Sequence, residues 1–190
     1  MFSNDANFFF EDPSKYRQPP GNYGVLYLLR RDIAVCMGIA PASQPNCQEA
    51  LWPGAMAILA GVDLLAKFYA GSDESGKVGE RFKTFIEKYF QPLSPNDKET
   101  VYQLRNSLLH SFGLYSKTLK NQEYRFILDQ KCQQFISSPR PDFYLINIRV
   151  LYQRFEAAVL KYQTDLTSDI ELQKNFSLMF PNYGALQLCQ

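Results

Sequence analysis

Apolar stripes at helical spacing, cut repeatedly by proline and glycine, constrain this chain more than any other feature. Residues 23–39, YGVLYLLRRDIAVCMGI, carry apolar side chains at the helical period, and PASQPN (41–46) ends the run. A second helix is expected from about Gln48 to Ala70, with Pro53 and Gly54 dividing it or starting it afresh. GSDESG (71–76) reads as a loop. The segment 77–90 then sets Phe82, Phe85, Ile86, Tyr89 and Phe90 on one side, and QPLSPND stops it.

The next helix carries its own start signal. Ser94 is a natural N-cap, Pro95 suits the first helical position, and Asp97 follows the cap by three residues. Val101, Leu104, Leu108 and Phe112 continue at helical spacing, and Gly113 is the expected stop. Beyond it the period changes. GLYSKTL and EYRFILD flank KNQ as a β-hairpin, and QQFIS offers one more short strand. After the break PRPD (139–142), a long helix is expected from about Phe143 to Leu166, with Ile148, Leu151, Phe155, Ala158, Tyr162 and Leu166 on one stripe. The tail, FSLMFPNYGALQLCQ, fits neither pattern clearly, and residues 1–22 read as an extended arm. The expected fold is mainly α: one domain over 1–190, an up-and-down helical bundle (23–112, with 143–166) into which a small antiparallel β-hairpin or sheet (113–137) is inserted.

Composition narrows the function classes. With 190 residues, 46% hydrophobic and 21% charged, the chain can bury a proper core. Its 15 Phe and 12 Tyr exceed what a core of this size needs, which leaves rings for an interface or a stacking surface. A net charge of +1 argues against a large basic platform for duplex nucleic acid. Cys36, Cys47, Cys132 and Cys189 show no CxxC spacing, and a single histidine cannot complete a His-rich zinc site, so no metal or other cofactor is expected. The N-terminus lacks the basic and apolar regions of a signal peptide. The most apolar stretch, AMAILAGVDLLAKFYA, is interrupted by Asp63 and Lys67, so no membrane span is expected. These features point to a cytoplasmic protein with free thiols.

Two stretches could carry chemistry. GSDESGKV (71–78) approaches a phosphate-binding P-loop, but Val78 stands where the Mg²⁺-binding hydroxyl is required. The segment before it reads as helix rather than strand, so a plain helix–helix connection is expected.

The other stretch is RNSLLHSF (105–112), which holds the only histidine. A guanidinium can grip a phosphate and stabilise the charge that builds on it. An imidazole can take and return a proton near neutral pH, and an amide can orient either group. Asn106 and His110 are four apart and share a helix face. Arg105 and His110 are separated by roughly 140° and about 7.5 Å on an ideal helix. A long arginine side chain, a distorted helix end or a second subunit would have to bring them together. Arg105 lies in the apolar arc and needs a partner there, so a structural pairing with a core carboxylate such as Asp63 is the competing reading. Lys67, Lys77, Arg81 and Lys83 are candidates for a modest basic patch, against the alternative of solvated faces in which Asp63 offsets Lys67 and Glu87 offsets Lys83.

LRNSLLHSF, with Asn after the arginine and four residues between Arg105 and His110, resembles the signature of the HEPN superfamily, the higher eukaryote and prokaryote nucleotide-binding domains. The resemblance covers roughly residues 23–112, with 143–166 as a further helix. It implies a metal-independent endoribonuclease whose site is shared across a homodimer, acting on RNA as a toxin or defence effector, with an antitoxin protein as a further partner. By the same resemblance, Arg105 would hold the scissile phosphate, His110 would be the acid–base group, and Asn106 would orient the site. Attack by the 2′-hydroxyl would leave a cyclic phosphate and a 5′-hydroxyl. Other members are non-catalytic modules that bind RNA, nucleotides or partner proteins.

Overall fold

A computed structural model describes residues 2–15, 20–39 and 49–188. The PASQPN break, Cys47, Gln48 and Cys189 lie outside these residues. The described chain is mainly helical, with seven α-helices, a two-stranded sheet and a four-stranded sheet. The helices are α1 (Phe2–Phe9), α2 (Val25–Cys36), α3 (Leu51–Ala70), α4 (Val78–Tyr89), α5 (Pro95–Ser111), α6 (Ile148–Leu166) and α7 (Ile170–Tyr183). The strands are β1 (Gly21–Gly24), β2 (Tyr115–Lys117), β3 (Glu123–Asp129), β4 (Ile136–Arg140), β5 (Phe143–Asn147) and β6 (Ala185–Leu188).

α3 is the central element, and α2, α4, α5, α6 and α7 all pack against it. Ile58, Leu59, Val62, Leu65 and Phe68 lose all contact with solvent. Gly61 makes the α6 contact possible, because a Cβ there would come within 2.8 Å of the Phe155 ring. By length and composition alone α3 could cross a bilayer, but half of that stretch is buried inside the fold. Its apolar surface is instead spent on the helices around it. Pro53 and Gly54 do not divide α3: Pro53 sits in its first turn, where no intrahelical N–H partner is lost.

Residues 1–22 are not an extended arm as a whole. Phe2–Phe9 form α1, and Phe9 is fully buried with its ring 4.5 Å from Phe68 and 5.4 Å from Phe176. Burying Phe9 and Phe10 stabilises this helix, and Pro13 lies beyond its end. The segment after α1 and the segment after α7 are tied together where β1 pairs antiparallel with β6, Gly21 opposite Leu188. The ambiguous tail is therefore α7 followed by β6.

The four-stranded sheet is ordered β2-β3-β5-β4. β2–β3 is the expected hairpin and β4–β5 is antiparallel, but β3 and β5 run parallel, so the sheet is mixed rather than antiparallel. The long helix begins at Ile148, not near Phe143. Phe143–Asn147 pairs with β3, Tyr144 lies 5.2 Å from the Tyr124 ring, and Asn147 caps α6 by accepting from the Arg149 and Val150 N–H groups. Aromatic and β-branched side chains suit a half-buried strand, and the cap sets the boundary. Tyr124 and Phe126 turn inward to the core, which lays the sheet beside α5.

α5 begins as its sequence dictates. The Ser94 hydroxyl accepts from the Asp97 N–H at 3.0 Å, and the Asp97 carboxylate accepts from the Ser94 N–H at 3.3 Å. Such a capping box is worth about 1 kcal/mol. The helix stops one residue before the expected glycine: Phe112 itself takes the left-handed conformation, with φ of 46°, and is 71% exposed.

Candidate active site

Arg105 is 7% exposed, and its guanidinium joins three partners. Nε donates to Asp63 Oδ2 at 2.7 Å, and Nη2 donates to the same oxygen. Nη1 donates to Asn106 Oδ1 at 3.1 Å and meets His110 Nε2. Arg105, Asn106 and His110 therefore converge within one chain. The arginine stem crosses the angle that the helix backbone imposes, so a second subunit is not needed to bring these side chains together.

Asp63 projects from the middle of α3 and fixes the guanidinium from behind. The predicted core pairing of Arg105 with Asp63 is present, but it leaves one guanidinium edge for the motif. Burial pushes the Asp63 carboxyl above its ordinary value, against the opposing pull of Arg105, Lys67 and His110. A guanidinium can only donate, so in this contact His110 Nε2 faces it as the acceptor.

Two hollows flank this group: Arg105 lines the first, and Asn106 and His110 line the second. One, about 490 Å³, lies against α3 and α4 and is lined by Asp63, Lys67, Asp73, Arg81 and Arg105. The other, about 830 Å³, lies between α5 and the β2–β3 hairpin and is lined by Tyr102, Gln103, Asn106, His110, Tyr115 and Lys120 among others. His110 is exposed at the edge of this groove, with Asn106 half-buried beside it. The arginine is reached from the buried side and the histidine from the open side.

The four basic candidates do not gather into one patch. Lys67 pairs with Asp73 at 2.8 Å, and Lys77 with Glu74 at 2.9 Å. Arg81 is buried, donates to the Glu74 carbonyl and lies 3.9 Å from Asp73. Lys83 pairs with Glu99 at 3.1 Å and alone borders the groove with His110. The predicted offsets also differ in detail: Asp63 serves Arg105, and Glu87 pairs with Lys98 at 2.8 Å. Hydrogen bonds from Lys67 and Tyr183 hold Asp73 below the usual carboxylate range. Short loops and neighbouring helices supply carboxylates that linear spacing does not reveal.

GSDESGKV connects α3 to α4 through a single 3₁₀ turn, Ser75–Lys77. It follows a helix rather than a strand, as expected. Among the described residues, no three histidine, cysteine or carboxylate side chains gather as a metal-binding group. Cys36 and Cys132 are free thiols.

The groove-lining residues of the hairpin escape sequence reasoning, because only folding brings β2 back onto α5. One signal does exist. Glu99, Gln103, Asn106 and His110 recur at helical spacing as a polar stripe beside the apolar face of Val101, Leu104 and Leu108. Compared with known proteins, the chain matches no family model, no curated protein and no solved structure.

Proposed function

We propose that this chain is a metal-independent endoribonuclease of the HEPN type, an up-and-down helical bundle in which Arg105, Asn106 and His110 form the catalytic group. The observation that carries this reading is the meeting of the Arg105 guanidinium with Asn106 and the only histidine at the mouth of an open groove.

The arrangement suits phosphate entry. Nη1 faces Asn106 Oδ1 and His110 Nε2 in the free protein, and a phosphate oxygen is a stronger acceptor than an uncharged one. As the phosphate takes that donor, His110 Nε2 is released with its lone pair available. It then takes the proton of the 2′-hydroxyl while the 2′-oxygen bonds to phosphorus. The bond to the 5′-oxygen breaks, leaving a cyclic phosphate and, once that oxygen is protonated, a 5′-hydroxyl. Arg105 offsets the charge on the equatorial oxygens, the role a metal ion fills elsewhere.

In-line displacement sets the entering and leaving oxygens on opposite sides of phosphorus. One imidazole cannot touch both at once. A homodimer with facing motifs would supply the second acid–base group, and this is the physical reason to retain the shared site in the proposal. A role as a toxin with an antitoxin partner follows the same resemblance.

The burial of Arg105 against Asp63 favours a second reading, a non-catalytic module in which the pair only holds α3 to α5. Incubating RNA with the protein in EDTA, beside His110→Ala and Arg105→Lys, separates the two. The ribonuclease reading expects cleavage by the parent protein and a loss of at least about a hundredfold in both variants. Cleavage of equal rate in all three sinks it, and so does the absence of cleavage across structured and unstructured RNAs.

A further inference from the structure

The groove beside His110 has a composition that the catalytic group does not explain. Its α5 wall is the stripe Gln103, Asn106, His110 with Tyr102 alongside, and its opposite wall is β2 and the hairpin turn. The Ser116 hydroxyl donates to Gln103 Oε1 at 2.6 Å and fastens the two walls together. Two aromatic rings border the space, each attended by a cation. Lys83 Nζ stands 4.9 Å from the centre of the Tyr102 ring, and the Arg125 guanidinium 5.4 Å from that of Tyr115. Tyr102 is half-buried with its ring 5.8 Å from Phe82, whereas Tyr115 is 43% exposed.

Charge selects the ligand class. Lys83, Lys117 and Lys120 border the groove against a single carboxylate, Glu99. Glu99 is already taken up by Lys83 at 3.1 Å and Gln103 at 2.8 Å. The nearby Glu123 is paired with Arg125 at 3.0 Å. Lys117 and Lys120 are exposed at the hairpin end. An anion with flat apolar faces satisfies all of this. A volume of about 830 Å³ suits a short run of nucleotides, and stacking on tyrosine needs bases that are not already stacked in a duplex.

We propose that this groove binds the unpaired RNA nucleotides next to the scissile phosphate, with Tyr115 stacking a base and Lys117 and Lys120 holding phosphates. The inference rests on the endoribonuclease reading for its position along the RNA. It makes the hairpin the specificity element and limits cleavage to single-stranded RNA.

Binding is measured in the full chain carrying His110→Ala, by fluorescence anisotropy with a labelled single-stranded RNA octamer and with the same octamer in a duplex. The single strand is expected to bind and the duplex to bind at least tenfold more weakly. Adding Tyr115→Ala weakens the single strand about tenfold, and Tyr115→Phe restores it because the ring is kept. The pair Lys117→Ala and Lys120→Ala lowers affinity and reduces the slope of log affinity against log salt by roughly 1.4. Equal binding of strand and duplex, no binding of the strand, or affinity unchanged to within twofold in the Tyr115→Ala and lysine variants overturns the proposal. A parent protein that binds the octamer through these residues but cleaves nothing overturns the ribonuclease reading alone. Cleavage that is indifferent to the hairpin variants overturns the groove alone.

Discussion

The two faces of α5 differ in what they can tolerate. Toward the core, Val101, Leu104 and Leu108 are fully buried, and Arg105 sits among them only because Asp63 meets it. Toward the hairpin, Gln103, Asn106 and His110 border open space and bond to partners that can be exchanged. One face is committed to holding the helix and the other is available to a ligand. Arg105 belongs to both, anchored through Nε and Nη2 and presented through Nη1. A guanidinium suits this double duty because its donors lie in a rigid plane and its charge does not titrate away.

Breaking the anchor should give the largest effect. Arg105→Ala strands a buried carboxylate, so unfolding in urea is expected at a stability lower by about 3–5 kcal/mol, and Asp63→Asn in the same chain should recover part of it. The loss carries a pH signature. Because burial raises the Asp63 pKa in the folded state, the folded chain holds a proton that the unfolded chain has already released. The burial penalty is therefore absent below the ordinary carboxylate range and grows as pH rises through the folded value. Removing the guanidinium raises that value further, so the loss at pH 8 should exceed the loss at pH 5. An Arg105→Ala protein as stable as His110→Ala would erase the distinction between the faces.

A smaller effect of opposite sign is expected at the helix end. Phe112 occupies the left-handed region, which costs a residue with a Cβ about 1 kcal/mol, and its ring is largely in solvent. Phe112→Gly should raise the melting temperature without disturbing α5 above it. A lower melting temperature would mean that the exposed ring contributes more than its surroundings indicate.

The smallest effect concerns the far hollow. Asp73 is held below its ordinary value by Lys67 and Tyr183, so the stability it contributes is present above the ordinary carboxylate pKa and is lost as pH falls through the folded one. Asp73→Asn should flatten the acid limb of the stability profile slightly, and less so in high salt, because the pair is partly exposed. An unchanged profile would remove Lys67 and Asp73 from the account.

The parts of the fold legible in the sequence are those decided locally. Ser94, Pro95 and Asp97 carry the start of α5 within four residues, and the hairpin follows from KNQ between alternating segments. The parts that were not legible depend on distant partners. Phe143–Asn147 has apolar residues that serve a helix or a strand, and pairing with β3 decides between them. Phe2–Phe9 is helical because Phe68 and Phe176 receive its rings. The same division holds at the site. Arg105, Asn106 and His110 announce themselves by spacing, and Asp63 follows from asking what a buried arginine requires. The hairpin tyrosine and lysines have no signal until β2 lies along α5. The helix angle, taken alone, overstates the distance between Arg105 and His110, because it counts the backbone and omits the reach of the side chain.

His110 is also the sole imidazole of the chain. Its ring protons therefore give unshared proton resonances in an NMR spectrum, free of overlap from any sister residue. The guanidinium beside Nε2 and any phosphate that displaces it impose different magnetic surroundings on that ring. The protein thus contains its own spectroscopic probe, placed at the one point where occupancy of the groove and contact with the Arg105 guanidinium can be read together.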